Sequence, residues 1–262
     1  MSLVQPMTIA VLLAGGMGVA LLGSVKVALA RKLQMDEARV GGLISAFGIA
    51  MIPVILSVGF LTDLVGKQPV VIGGSLLMAA SLIVLGAAGT YASALVGVLL
   101  FSASWAALIN VINPIAAIAF GGSKTYAMNL ACFYFGVGAF ATPLALRFLL
   151  RRAGLTKALL LLAALVLVPA GLGAVADFSS LVPAATEQAA TATAPTGLAS
   201  LLVDPVMWLC TLAFLFYGPL EAATGAWTTT YLGDKGLSES AASALLSVFW
   251  LTYTASRLAT AL

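Results

Sequence analysis

The chain has 262 residues, of which 62% are hydrophobic and only 8% charged. A water-soluble domain of that size has no use for so much apolar surface, so the composition excludes one. The net charge of +3 comes from scattered basic residues, which argues against a nucleic-acid partner.

Apolar runs of about 20 residues, the length that spans a bilayer as a helix, recur along the whole chain. They are continuous rather than alternating, which excludes a transmembrane β-barrel. The expected fold is therefore an all-α polytopic membrane protein. The sequence contains no histidine, the commonest general base and zinc ligand. Cys132 and Cys210 lie in separate apolar segments, with neither a metal spacing nor a disulfide framework, and read as packing residues. No metal, cofactor or catalytic residue is expected.

Eight apolar segments follow one another, at 7–30, 40–61, 70–89, 92–120, 125–150, 157–176, 205–231 and 240–262. The first lacks a basic leader and a small-residue cleavage site, and is read as a retained span. It carries Gly15, Gly16, Gly18 and Gly23, whose spacing permits close helix packing in lipid. Lys26 has two open readings. Its stem could snorkel to the interface, or its charge could face a central cavity and pair with Glu221.

Gly59, Asp63, Gly66 and Lys67 form the turn between segments two and three. The glycines permit a tight reversal. Asp63 is placed to accept hydrogen bonds from a neighbouring helix N-terminus, and Lys67 is a candidate cytoplasmic charge. Segment four contains Trp105, Asn110 and Asn113-Pro114. Asparagines three apart share one helix face, and Pro114 frees the carbonyl of Asn110. Lipid cannot satisfy these groups, so they should point inward, either to a ligand or to a neighbouring helix. Segment five contains Asn129-Leu130, then Phe135, Gly138 and Pro143.

The stretch 177–204 is rich in Ala, Thr, Ser and Pro and reads as a linker. It separates a six-helix unit, 1–176, from a second unit, 205–262, that holds two helices. Segment seven carries Tyr217-Gly218-Pro219-Leu220-Glu221. A carboxylate at bilayer depth is costly unless it faces a partner or a wet cavity. Pro219 removes a backbone donor, so the helix is expected to bend or open there. A broken helix beside a buried charge near the midplane suits a transporter site. The competing reading is a kinked helix whose glutamate bonds a neighbour.

The turn Gly59-x-Leu61-x-Asp63-x-x-Gly66-Lys67 resembles the loop motif of the major facilitator superfamily, departing from it at Leu64, where arginine is usual. The Asn113-Pro114 pair, Asn129-Leu130 with Phe135-x-x-Gly138, and Glu221-x-x-x-Gly225-x-Trp227 are similar to the fucose permease group within that superfamily. The end, Ser247-Val248-Phe249-Trp250 to Arg257, resembles helix eight. The resemblance implies an N-terminal six-helix bundle, a cytoplasmic linker and the first two helices of a C-terminal half, with the chain stopping inside helix eight. It also implies that Gly59, Asp63, Gly66 and Lys67 act as a conformational latch on the cytoplasmic side. The coupling carboxylates of fucose permeases fall near Gly23 and Ile109, neither acidic, which leaves Glu221 as the candidate proton-coupling group.

The family topology places Lys67 and Lys124 inside, but Arg31, Lys32, Arg39, Arg151, Arg152 and Lys157 outside. Charge bias alone would choose the reverse. The loop motif is the more specific signal and sets the expected orientation.

The expected function is secondary active transport of a small polar solute, a sugar being the class in view, by alternating access in a cell inner membrane, with protons as a candidate coupling ion. Asn110, Asn113, Asn129, Glu221, Lys26, Trp105 and Trp227 are the expected solute-binding residues: asparagines bond hydroxyls and aromatic faces stack on sugar rings. The alternative is a non-transporting membrane binding or sensor protein, or an inactive transporter fragment. An intramembrane enzyme would need a convergent catalytic set, and the sequence shows no Gly-x-Ser-x-Gly elbow and no phosphate loop.

Overall fold

The computed structural model describes residues 3–181 and 203–261. These form seven α-helices and one short 3-10 turn, with no strand among the described residues. We label the helices α1 (Val4–Leu33), α2 (Glu37–Val65), α3 (Lys67–Ala87), α4 (Tyr91–Ala119), α5 (Lys124–Val175), α6 (Pro205–Asp234) and α7 (Glu239–Ala261). The 3-10 turn spans Ser179–Leu181. Before it, Asp177 accepts a bond from the Ser179 backbone N–H at 2.9 Å, and the Ser179 side chain and backbone together hold its carboxyl below the usual carboxylate range. Most of the stretch expected to be a linker lies outside the described residues.

Local chemistry sets the helix ends. Asp36 caps α2 by accepting from the Arg39 N–H at 2.9 Å, and Ser123 caps α5 by accepting from the Tyr126 N–H at 3.1 Å. Thr90 and Ser93 bond reciprocally and start α4 as a capping box. Gly66 ends α2 and precedes α3 at φ 86°, ψ 168°, a backbone region that essentially only glycine occupies.

Segments five and six are not joined by a loop. They form one 52-residue helical stretch broken only at Gly154, with φ 74° and ψ 172°. Residues from 137–145 and from 162–169 line the same crevice against Ala10, Leu13, Ala14 and Met17 of α1. The two arms of α5 therefore lie side by side, and Gly154 is the residue that reverses the chain. At Pro219 the expected bend or opening does not take the form of an opening: α6 runs as a single helix from Pro205 to Asp234.

Six of the helices are long and apolar enough to cross a membrane, and α5 is long enough to do so twice. The seventh, α7, has the length but is less apolar, because it carries Glu239, Arg257 and many Ser and Thr residues. Exposed apolar side chains such as Ile52, Leu56, Phe60, Phe214 and Phe216 coat α2 and α6 and suit a hydrocarbon environment. Cys210 is also exposed on α6, so only the half-buried Cys132 fits the packing expectation.

Lipid offers no hydrophobic drive between helices, so close backbone contact does much of the joining. Around α1 that contact comes from glycine. A Cβ on Gly16 would strike the carbonyl of Phe135, and one on Gly138 would strike the carbonyl of Leu13, which fixes the crossing of α1 with the first arm of α5. Gly18 gives room to Trp105, whose indole N–H donates to the Gly15 carbonyl at 2.8 Å. Ser102 donates to the Phe47 carbonyl at 2.6 Å and ties α4 to α2. The second arm of α5 packs antiparallel to α3, with Gly86 against Leu159 and Gly173 against Val71.

Candidate solute site

The six-helix unit and the last two helices meet along two seams. In the first, Gly23 of α1 faces the backbone of Gly225 on α6. The Thr229 hydroxyl donates to the Gly23 carbonyl at 3.2 Å, and the Lys26 ammonium donates to the Ala226 carbonyl. In the second, Gly136 of α5 faces Thr254 and Tyr253 of α7, and Trp250 is fully buried beside Ala20 and Ala139. The N-terminal stretch of α6, including Trp208, Phe214 and Phe216, stays exposed. α6 is thus joined to α1 over the part nearer Asp234.

Between α6 and α7 lies a cavity of about 310 Å³. Tyr217, Leu220, Glu221 and Thr224 line it from α6, and Phe249, Thr252, Tyr253, Ser256 and Arg257 line it from α7. Each set repeats at three- and four-residue spacing, which places it on one face of its helix. The two stripes bring a carboxylate and a guanidinium into one cavity. Tyr217 interacts with both Glu221 and Arg257, and the Arg257 guanidinium lies 5.1 Å from the Tyr253 ring centroid. Cys132, on α5, lies near Tyr253 and Arg257. The cavity therefore offers acceptors, donors, two phenols and aromatic faces together.

The other sequence-derived residues are spread over separate places. Lys26 is 5% exposed, too buried to snorkel, and it does not meet Glu221. Its nitrogen lies 4.7 Å from the Trp227 ring centroid, with Asp234 the acidic group that acts on it. Trp227 in turn reaches toward Gly41 of α2. Asn110 donates to the Ile55 carbonyl of α2 at 3.2 Å, and Asn129 donates to Thr125 of its own helix at 3.0 Å. Asn113 is exposed on α4. Trp105 is held by its bond to Gly15 and by Phe47, at 5.9 Å between ring centroids. In the turn, Gly66 is conformationally required, whereas Asp63 is exposed and no described helix N-terminus donates to it.

Tyr217, Tyr253 and Arg257 were absent from the sequence-derived set. A signal for them existed. Arg257 is an ionisable group in an apolar segment and carries the same burial cost as Glu221. The pairs Tyr217/Glu221 and Tyr253/Arg257 stand four residues apart. No group of three or more His, Cys, Asp or Glu residues that could hold a metal occurs among the described residues.

Helices of this length and apolarity, with exposed apolar side chains along their outer faces, define a multi-pass membrane protein. The family model of the Major Facilitator Superfamily matches residues 7–262, and the chain belongs to that superfamily of membrane transporters. No curated protein matches the chain.

Proposed function

We propose that the protein is a secondary active transporter of a small polyhydroxylated solute, a sugar or a close relative, and that Glu221, Arg257, Tyr217 and Tyr253 line its solute path. The observation that carries this reading is the cavity between α6 and α7, where a carboxylate and a guanidinium share one chamber in otherwise apolar helices. Hydroxyl groups both donate and accept, so a chamber holding an acceptor-only and a donor-only group suits them. Phenol rings supply flat faces for a sugar ring. Membership of a transporter family supplies the process, alternating access between two halves.

In this reading Glu221 also carries the coupled proton. Lys26 belongs to the seam that opens and closes, since its bond to Ala226 exists only when α1 and α6 touch. Asn113, exposed on α4, is a second candidate solute contact. The resemblance of the 59–67 turn supports an N-terminus in the cytoplasm of a cell with an inner membrane, a cytoplasmic linker over 177–204, and a latch role for Gly59, Asp63, Gly66 and Lys67.

The test is uptake of a labelled sugar panel into vesicles containing the product of the native gene. Glu221→Gln abolishes uptake or removes its dependence on the proton gradient. Uptake by Glu221→Gln with unchanged rate and unchanged pH dependence would remove Glu221 from the mechanism.

A further inference from the structure

We infer that a second binding site, specific for a phosphate-class anion, lies at the membrane-edge end of α1, α5 and α7, apart from the cavity that holds Glu221. A cavity of about 560 Å³ opens there. Arg31 and Lys32 enter it from the last turn of α1, and Arg147 and Arg151 enter it from the first arm of α5. Among the described residues, Glu239 is the one carboxylate in its wall.

The ordinary explanation for cations at a helix end is the helix dipole, which favours positive charge at the C-terminus. It accounts for Arg31-Lys32 on α1 and for arginines late in the first arm of α5. It does not account for their convergence. Four like charges facing one cavity repel each other, and a fold gains nothing by assembling them without a counter-charge.

The structure supplies little of that counter-charge. Glu239 approaches Arg31 at 3.8 Å, a long contact between exposed groups. Lys32 donates to the Gly86 carbonyl at 2.8 Å and to the Thr156 hydroxyl at 3.4 Å, both neutral. Arg147 is half-buried and, among the described residues, neither it nor Arg151 has an acidic partner. A guanidinium is always charged, donates through a planar fork and cannot accept, so a half-buried one needs an acceptor.

The rest of the wall suits an anion. Ser24, Ser240 and Ser243 add hydroxyls. The start of α7, a helix of 23 residues, borders the same cavity through Glu239, Ser240 and Ser243 and adds the positive end of its dipole, while Ser238 caps it by accepting from the Ala241 N–H at 3.2 Å. Paired arginines beside a helix N-terminus match a tetrahedral oxyanion, because guanidinium forks bind phosphate oxygens two at a time. A free phosphate compound and an anionic lipid headgroup both present that group. The site rests on side chains that the solute path does not use, so it stands independently of the transport reading.

Two binding measurements on the purified native-gene product test it. One is calorimetric titration with inorganic phosphate in neutral detergent at fixed ionic strength. The other is native mass spectrometry after incubation with phosphatidylglycerol or phosphatidylcholine. The double change Arg147→Gln with Arg151→Gln lowers affinity by about tenfold or more for each arm that binds wild type, since each lost charge-assisted bond is worth roughly a factor of ten. Arg151→Gln alone, at an exposed position, serves where the double variant does not fold, and gives a partial loss. Lys124→Gln, at the start of α5, leaves binding unchanged. Loss confined to the phosphate titration assigns a free phosphate ligand. Loss confined to phosphatidylglycerol, with phosphatidylcholine indifferent, assigns a headgroup. Wild-type protein that binds neither probe, or arginine variants that bind as wild type does, overturns the site.

Discussion

Replacing Gly23 by alanine should open the seam between α1 and α6 without unfolding the bundle. The added Cβ would strike the carbonyl oxygen of Gly225 and lie 3.4 Å from the Cα of Ala226. A carbon and a carbonyl oxygen ordinarily approach to about 3.3 Å, and the obstacle here is backbone, which no rotamer change moves away. The helices must separate. The Lys26 bond to Ala226 and the Thr229 bond to Gly23 are then stretched or lost. Overpacking of this kind costs about 1–3 kcal/mol. That cost falls on the joined arrangement alone, so the ratio of joined to separated halves drops by about 5- to 150-fold. Spin labels at Ser24 and Ser243, which line one cavity from α1 and α7, report the separation in a background with Cys132 and Cys210 changed to serine. Gly23→Ala moves population to longer distances. Gly48→Ala, where an added Cβ meets nothing within 4 Å, leaves the distribution in place. A Gly23→Ala distribution identical to wild type would refute the claim that this glycine contact holds the halves together.

Further outcomes follow from single positions. Gly66→Ala forces an L side chain into a conformation that costs about 1–3 kcal/mol and lowers the melting temperature in detergent, whereas Gly59→Ala, in open space on a helix, does not lower it. Gly154→Ala strains the hairpin of α5 in the same way and by a similar amount, read by the same melting curve. Trp250 is fully buried and its indole N–H has no hydrogen-bond partner among the described residues, so Trp250→Phe costs little, while Trp250→Ala empties the seam at about 3–5 kcal/mol. A thermal-shift comparison in which Phe proves as damaging as Ala would mean that the indole N–H has a partner after all.

The class of fold was readable because spanning length and continuous apolarity are strong local signals. Every apolar segment, 240–262 included, appears as a helix close to its expected bounds. What the sequence could not place was which small residues touch. Gly15, Gly16, Gly18 and Gly23 read alike as packing glycines, yet they meet four different neighbours: Ile109, the Phe135 carbonyl, Trp105 and the Gly225 backbone. Glycine spacing says that backbones approach and leaves open which ones. The Gly154 reversal was hidden because two helical arms joined by a single non-helical residue look, in sequence, like two spans and a loop. Pro219 does not open its helix: losing one N–H and crowding one turn does not have to interrupt it.

The candidate site was legible at one residue. Glu221 stands out as a charge among apolar neighbours. Its partners did not, because Tyr217, Tyr253 and Arg257 gain meaning only when α6 and α7 are laid together. Lys26 had two expected fates and took a third, against a backbone carbonyl and the face of Trp227. A lysine in a one-dimensional reading has a charge and a depth, and nothing else to show which helix lies across from it.

Uptake measured side by side for wild type, Glu221→Gln and Arg257→Gln, in vesicles made with the native-gene product, bears most directly on the central claim. The account predicts saturable uptake of at least one sugar by wild type. It also predicts loss of that uptake, or of its proton dependence, in Glu221→Gln, and a weakened apparent affinity in Arg257→Gln. Both variants transporting as wild type does, with the same pH profile, would contradict it and move the solute path away from the cavity between α6 and α7.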